Sequence, residues 1–108
     1  MTDDIQILPR EVKERLDRGG KLLLVDIRQE WEHKTCRIEG STLVPMETMA
    51  SSLSLFEVAE EVVLYCHHGV RSLNAVVWLR QQGIAARSMA GGIARWSEEI
   101  DPSVPRYE

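Results

Sequence analysis

Two short apolar runs constrain the fold of this 108-residue chain more strongly than any other feature. Residues 22–25 read Leu-Leu-Leu-Val and lead into Asp26, while residues 62–65 read Val-Val-Leu-Tyr and lead into Cys66. A run that is apolar throughout, rather than at every second position, is typical of a strand covered on both faces in a parallel sheet. We therefore expect a parallel sheet with helices packed against both of its faces.

Strand and helix patterns alternate along the whole chain. We predict strands over residues 5–8, 21–26, 42–44, 61–65 and 85–89. We predict helices over residues 9–18, 29–34, 73–80 and 93–99, and one or two helical turns in residues 46–56 that bury Met46, Met49, Leu53 and Phe56. This alternation implies a three-layer α/β fold, with a mainly parallel central sheet of about five strands flanked by helices. The length fits one domain over residues 1–108.

The segment after the strand at residues 61–65 places a thiol, Cys66, in a tight loop that contains Gly69 and reaches Arg71 where a helix begins. Backbone N–H groups in such a loop can converge on an anion, and the positive end of the helix dipole adds to their effect. Both features favour a thiolate over a thiol. Without this loop, a lone cysteine would more often be a small buried apolar residue. We therefore predict that Cys66 is a nucleophile.

The residues after Cys66 are the candidate anion-binding group: His67, His68, Gly69, Val70, Arg71 and Ser72. The planar fork of donors on Arg71 matches an oxyanion, although an ion pair with Asp26 or Glu32 is the alternative role for this side chain. We expect both histidines to contact substrate at the mouth of the site. We expect Trp31, Trp78 and Trp96 to pack in the core or at its rim.

Four segments in order resemble motifs of the rhodanese family of single-domain sulfurtransferases: the loop at residues 66–72, residues 22–28 with Glu32, residues 38–45 and residues 89–96. The resemblance implies that Cys66 carries sulfur as a persulfide held by the amides of residues 67–71. It also implies supporting roles for Asp26, Arg28 and Glu32. For Asp26 we expect hydrogen bonds that hold neighbouring loops.

The implied reaction transfers sulfane sulfur from thiosulfate or a persulfide donor to a nucleophilic acceptor. Cyanide is the usual laboratory acceptor in the family, and a thioredoxin-like protein or another thiol is the expected cellular one. No cofactor is expected. The alternative from another class is a non-enzymatic sulfur carrier or rhodanese-like binding module. A phosphatase or reductase of small anions is disfavoured because four residues separate Cys66 from Arg71, whereas related phosphatases have five.

Composition and charge exclude other classes of function. A net charge of −4, with no cluster of Lys and Arg, argues against nucleic-acid binding. No apolar run approaches the ~20 residues that a membrane span needs. Residues 1–4 are acidic and lack the features of a secretory signal, so we expect a cytoplasmic protein. Cys36 and Cys66 are therefore expected to stay reduced, Cys36 as a plain loop thiol rather than a resolving partner, and no metal site is expected.

Overall fold

The computed structural model describes residues 5–107, so the acidic residues 1–4 and the outer limits of the expected domain lie outside the described residues. The strands are β1 (Gln6–Ile7), β2 (Leu22–Asp26), β3 (Thr42–Leu43), β4 (Glu61–Tyr65) and β5 (Ala86–Met89). The helices are α1 (Pro9–Asp17), α2 (Glu30–Thr35), α3 (Leu53–Glu57), α4 (Val70–Gln81) and α5 (Gly92–Glu99). A 3₁₀ helix at Met46–Ser52 precedes α3.

The five strands form one sheet in the order β1-β5-β4-β2-β3, and every pairing is parallel. The apolar strands β2 and β4 lie side by side, with Leu22 opposite Glu61 and Asp26 opposite Tyr65. Their carboxyl ends therefore reach the same edge of the sheet. The residues that follow them, Ile27 and Cys66, begin the loops from which ligand sites of open parallel sheets are built.

Alternate side chains of β4 point into two separate cores, because successive side chains of a strand face opposite sides of the sheet. Val62 and Leu64 pack in a cluster with Val76 and Leu79 of α4. Val63 and Tyr65 pack in the other cluster, whose members include Val12 of α1 together with Ile93 and Trp96 of α5. Helices thus cover both faces of the sheet, and the predicted three-layer α/β fold is confirmed.

Two details differ from the sequence-based expectations. The segment after β3 divides into a 3₁₀ helix and a short α-helix, and Met46 is 37% exposed although we expected it to be buried. Met46 is the first residue of the 3₁₀ helix and lies at the rim of a surface groove beside Trp78, whereas Met49 is buried beneath that groove. Helix α4 begins at Val70, one residue before Arg71, where we expected the helix to begin, and three residues before the apolar repeat at residues 73–80. Within residues 5–107, no helix has the length and apolar character needed to cross a membrane.

Candidate active site

The thiol of Cys66 lies at the carboxyl end of β4 and receives backbone hydrogen bonds from the loop that follows. The residue is 1% exposed. The N–H groups of Gly69 and Ser72 donate to Sγ at 3.2 and 3.3 Å. As a thiol, Sγ donates in turn to the Ser72 hydroxyl at 3.5 Å, and that hydroxyl lies 2.7 Å from the hydroxyl of Ser88. The sulfur is therefore surrounded by groups that can stabilise a negative charge on it.

The start of α4 explains why the Ser72 amide, which lies outside the expected residues 67–71, donates to the sulfur. Gly69 is the N-cap residue of α4, and Ser72 is its third residue. The first amides of a helix have no partner within the helix, so they are free to bind an anion at its N-terminus. Gly69 has φ +99°, a left-handed conformation in which a Cβ would lie only 3.1 Å from the Gly91 nitrogen. The loop therefore requires a glycine at this position.

The start of α5 holds the other side of the loop. The N–H groups of Ile93 and Ala94 donate to the carbonyl oxygens of Cys66 and His67 at 2.9 and 3.1 Å. A Cβ on Gly92 would overlap both of these carbonyl oxygens, and Gly92 also has φ +63°. The close approach of α5 thus depends on Gly92. The hydrogen bonds from α5 fix the backbone at Cys66 from the side opposite to α4.

Arg71 forms an ion pair with Glu32, which we had considered as the alternative to anion binding. Its Nη1 and Nη2 atoms each donate to one Glu32 carboxylate oxygen at 3.0 Å. The ion pair with Glu32 raises the pKa of Arg71 against the opposing effect of partial burial. The Arg71 side chain remains 40% exposed. A cation is thus fixed beside the Cys66 loop with part of its surface open to solvent.

Glu32 is held by donors from three parts of the chain. It is the third residue of α2, is 4% exposed, and accepts from the N–H of Gln29 at 2.9 Å. The hydroxyl of Tyr107 donates to its second oxygen at 2.6 Å. Burial alone would raise the pKa of Glu32, but hydrogen bonds from Arg71, Tyr107 and the Gln29 backbone lower it to about 2. Glu32 is therefore charged throughout the neutral range.

Asp26 and Arg28 form a fully buried pair that ties the neighbouring loops together. Asp26 accepts from the Arg28 backbone N–H and from Nε and Nη2 of the same residue at 2.7–3.0 Å. It also contacts His33 Nδ1 at 2.8 Å and accepts from the Tyr65 hydroxyl at 3.2 Å. Arg28 donates onward to the Cys36 carbonyl. Burial alone would lower the pKa of Arg28, but its hydrogen bonds, led by that to Asp26, raise it.

The two histidines lie side by side at the surface of the loop. The rings of His67 and His68 stack with centroids 4.0 Å apart, and His67 also stacks on Tyr107 at 4.2 Å. Burial, assisted by the neighbouring His68, lowers the pKa of His67, so this ring is neutral at neutral pH. His68 is exposed, and Val70 beyond it is 68% exposed. These positions fit the expected role at the mouth of the site, which stays a prediction.

Sequence reasoning missed Tyr107, which contacts the site from the end of the chain. No motif or periodic pattern surrounds this residue, so nothing local marked it. Trp31, which we expected in the core or at its rim, is exposed and lies in a T-shaped arrangement with Tyr107, with the ring centroids 5.8 Å apart. Cys36 is 6% exposed and belongs to the core cluster on the face of the sheet opposite to that of Cys66. The described part of the chain contains no group of three metal-ligating side chains.

Comparison with known proteins gives concordant results. The sequence model of the rhodanese-like domain matches residues 8–99. The probable adenylyltransferase/sulfurtransferase MoeZ of Mycobacterium tuberculosis is 35% identical over 104 residues, covering 94% of this chain and 26% of that protein. A sulfurtransferase of Allochromatium vinosum is 32% identical over 100 residues, covering 92% of this chain and 94% of that protein.

Solved structures of rhodanese-like domains also share this fold. The crystal structure of a rhodanese-like domain protein from Staphylococcus aureus has a TM-score of 0.81 and 29% sequence identity, and the match covers 95% of this chain and 98% of that one. The present chain spans about a quarter of the length of MoeZ but nearly the whole length of the Allochromatium and Staphylococcus proteins.

Proposed function

This chain belongs to the rhodanese-like domain family and is related to its sulfurtransferases, and we propose that it transfers sulfane sulfur from thiosulfate through a persulfide on Cys66. One observation carries the proposal: the Cys66 sulfur accepts two backbone N–H groups at the N-terminus of α4. These donors favour the thiolate, which is the reactive form of cysteine toward sulfur. They can also stabilise the negative charge of a persulfide.

In the first half-reaction, the Cys66 thiolate attacks the outer sulfur of thiosulfate. A bond forms between Sγ and that sulfur, while the bond to the sulfonate sulfur breaks and its electron pair leaves with sulfite. The products are sulfite and an enzyme persulfide that carries one negative charge. Because the thiolate attacks directly and sulfite leaves as a stable anion, this step needs no general base.

The charges of the site suit this step. Arg71 is the second residue of α4, directly after the loop, and its side chain is 40% exposed, so its positive charge can attract the thiosulfate dianion. His67 is neutral at neutral pH and half-buried, and His68 is exposed beside it, so both side chains can contact the donor. We propose that the outer sulfur of the persulfide contacts loop amides of residues 67–71 that do not already donate to Sγ.

In the second half-reaction, a nucleophile attacks the outer persulfide sulfur. Cyanide would leave as thiocyanate and return Cys66 to the thiolate. A thiol acceptor would leave as its own persulfide, and a dithiol protein of the thioredoxin type could then release sulfide by forming a disulfide. The sulfur atom moves between nucleophiles without electron transfer to any group held by the protein. We therefore propose a cycle that needs no cofactor.

Steady-state assays with paired substrates test this proposal. We expect thiocyanate formation from thiosulfate and cyanide, and only background hydrolysis of an aryl phosphate. Cys66→Ser should abolish thiocyanate formation, because a serine hydroxyl is not ionised near neutral pH. Cys36→Ser is the matched control and should retain most of the turnover. Phosphatase activity that depends on Cys66, without sulfur transfer, would refute the proposal, and loading with sulfur without turnover would instead favour a sulfur carrier.

A further inference from the structure

The last described residue, Tyr107, is fixed against the site by the segment that follows α5. Within that segment, Val104 is buried and its carbonyl accepts from the hydroxyl of Ser97 at 2.7 Å. The ring of Tyr107 stacks almost parallel to that of His67, with 14° between the two planes. These contacts place the Tyr107 hydroxyl within hydrogen-bond distance of Glu32 and Arg28, which precede it in the chain by 75 and 79 residues.

The direction of the hydrogen bonds around this hydroxyl is determined by its neighbours. Arg28 can only donate, and its Nη1 atom lies 2.9 Å from the Tyr107 oxygen. The phenol therefore accepts from Arg28, and its single proton is directed to Glu32 at 2.6 Å. Burial and the hydrogen bond to Glu32 raise the pKa of Tyr107 to about 12, so the donor proton is present at neutral pH.

Each oxygen of the Glu32 carboxylate then has one donor from Arg71 and one from the surrounding scaffold. The first oxygen accepts from Arg71 Nη1 and from the Gln29 N–H. The second accepts from Arg71 Nη2 and from Tyr107. The Gln29 N–H and the Tyr107 hydroxyl fix the plane of the Glu32 carboxylate. Because Arg71 binds both carboxylate oxygens, the orientation of its guanidinium follows that plane.

We propose that Tyr107 is a positioning residue of the active site, whose hydroxyl orients Glu32 so that Arg71 is held in place to bind the anionic sulfur donor. The inference rests on the proposed function of Arg71 in binding thiosulfate. Loss of the hydroxyl leaves one Glu32 oxygen without its scaffold donor, so the carboxylate and the guanidinium gain rotational freedom. The donors to Cys66, which come from Gly69 and Ser72, are unaffected.

The kinetic test uses Tyr107→Phe, which keeps the ring and its stacking on His67 but removes the hydroxyl. We expect the KM for thiosulfate to rise about 5- to 20-fold, as for loss of one hydrogen bond to a charged group, while kcat stays within about twofold. The KM for cyanide should not change. In a Glu32→Gln background, Tyr107→Phe should cause no further rise, because its effect passes through the carboxylate.

A second measurement needs no turnover. In ¹⁵N NMR spectra, the Nη protons of Arg71 should give separate signals in the wild type because both nitrogens are held on Glu32, and Arg71→Lys assigns them. In Tyr107→Phe these signals should broaden or merge. Unchanged Arg71 signals, an unchanged KM, or an equal rise in KM in the Glu32→Gln background would overturn the inference. A wild-type protein without sulfur transfer would refute the proposed function, and the NMR signals would still decide whether Tyr107 positions Arg71.

Discussion

At the scale of single residues, the buried carboxylate of Glu32 connects the part of the site that faces solvent with the interior. On one side it binds both Nη atoms of Arg71, and on the other it accepts from the Tyr107 hydroxyl. A buried carboxylate with this many donors stabilises the fold only while it is charged. Acid should therefore weaken the fold and this ion pair together.

Glu32→Gln should make the stability of the protein less sensitive to acid. Folding lowers the pKa of Glu32 from 4.5 to about 2, so its contribution is fully present above 4.5 and is lost as the pH falls toward 2. Between about pH 6 and about pH 3, the free energy of unfolding should fall by about 2 kcal/mol less in Glu32→Gln than in the wild type. Urea unfolding at both pH values measures this difference.

The control is Glu39→Gln, because the Glu39 side chain is exposed. This variant should lose as much stability in acid as the wild type does. If Glu32→Gln lost as much stability in acid as the wild type, the charged Glu32 carboxylate would not stabilise the fold as described.

The residues of the site differ in how far the sequence could predict them. Cys66, Gly69 and Arg71 lie within six consecutive residues, so local spacing was enough to place them together. The choice between anion binding and an ion pair for Arg71 could not be made, because it depends on where α2 places Glu32. Tyr107 could not be predicted at all, because its position results from the packing of the terminal segment on α5.

At the scale of elements, the loop at residues 66–69 is fixed between the N-termini of α4 and α5. The Ser72 amide of α4 donates to the Cys66 sulfur, and two amides of α5 donate to the Cys66 and His67 carbonyl oxygens. Two glycines allow this arrangement: Gly69 is the N-cap residue of α4, and Gly92 is the first residue of α5. The two helices together give the loop its shape.

Gly92→Ala should damage both stability and sulfur transfer, and Gly83→Ala is its matched control. Both glycines have positive φ, which costs an alanine about 1–2 kcal/mol. A Cβ on Gly83 meets nothing within 4 Å, whereas one on Gly92 meets the loop carbonyl oxygens, adding about 1–3 kcal/mol. Urea unfolding should show the larger loss for Gly92→Ala, and only this variant should lose turnover. Equal losses would mean that the loop does not depend on the close approach of α5.

The elements themselves could largely be predicted, because continuous apolar runs and helical spacing reflect burial directly. Strands β2 and β4 and helix α5 lie within about one residue of the predicted bounds. The segment at residues 46–56 was harder, since its apolar spacing fits one helix as well as two short ones. The start of α4 at Val70 depends on Gly69 adopting a left-handed conformation, which the spacing of the apolar residues 73–80 does not indicate.

At the scale of the whole molecule, the sheet separates the two cysteines. Cys66 packs in the core that α4 covers, while Cys36 packs in the core that α1 and α5 cover. Both are free thiols. The two thiols thus pack in different cores rather than against each other. We therefore predict a cycle in which Cys66 acts alone.

Intact mass spectrometry of the purified protein tests the central claim most directly. After incubation with thiosulfate, the wild type and Cys36→Ser should each gain the mass of one sulfur atom, and cyanide should remove it. Cys66→Ser should fold, as judged by circular dichroism, and should gain no mass. The account would be contradicted if Cys66→Ser still gained a sulfur that cyanide removes, or if the folded wild type gained none.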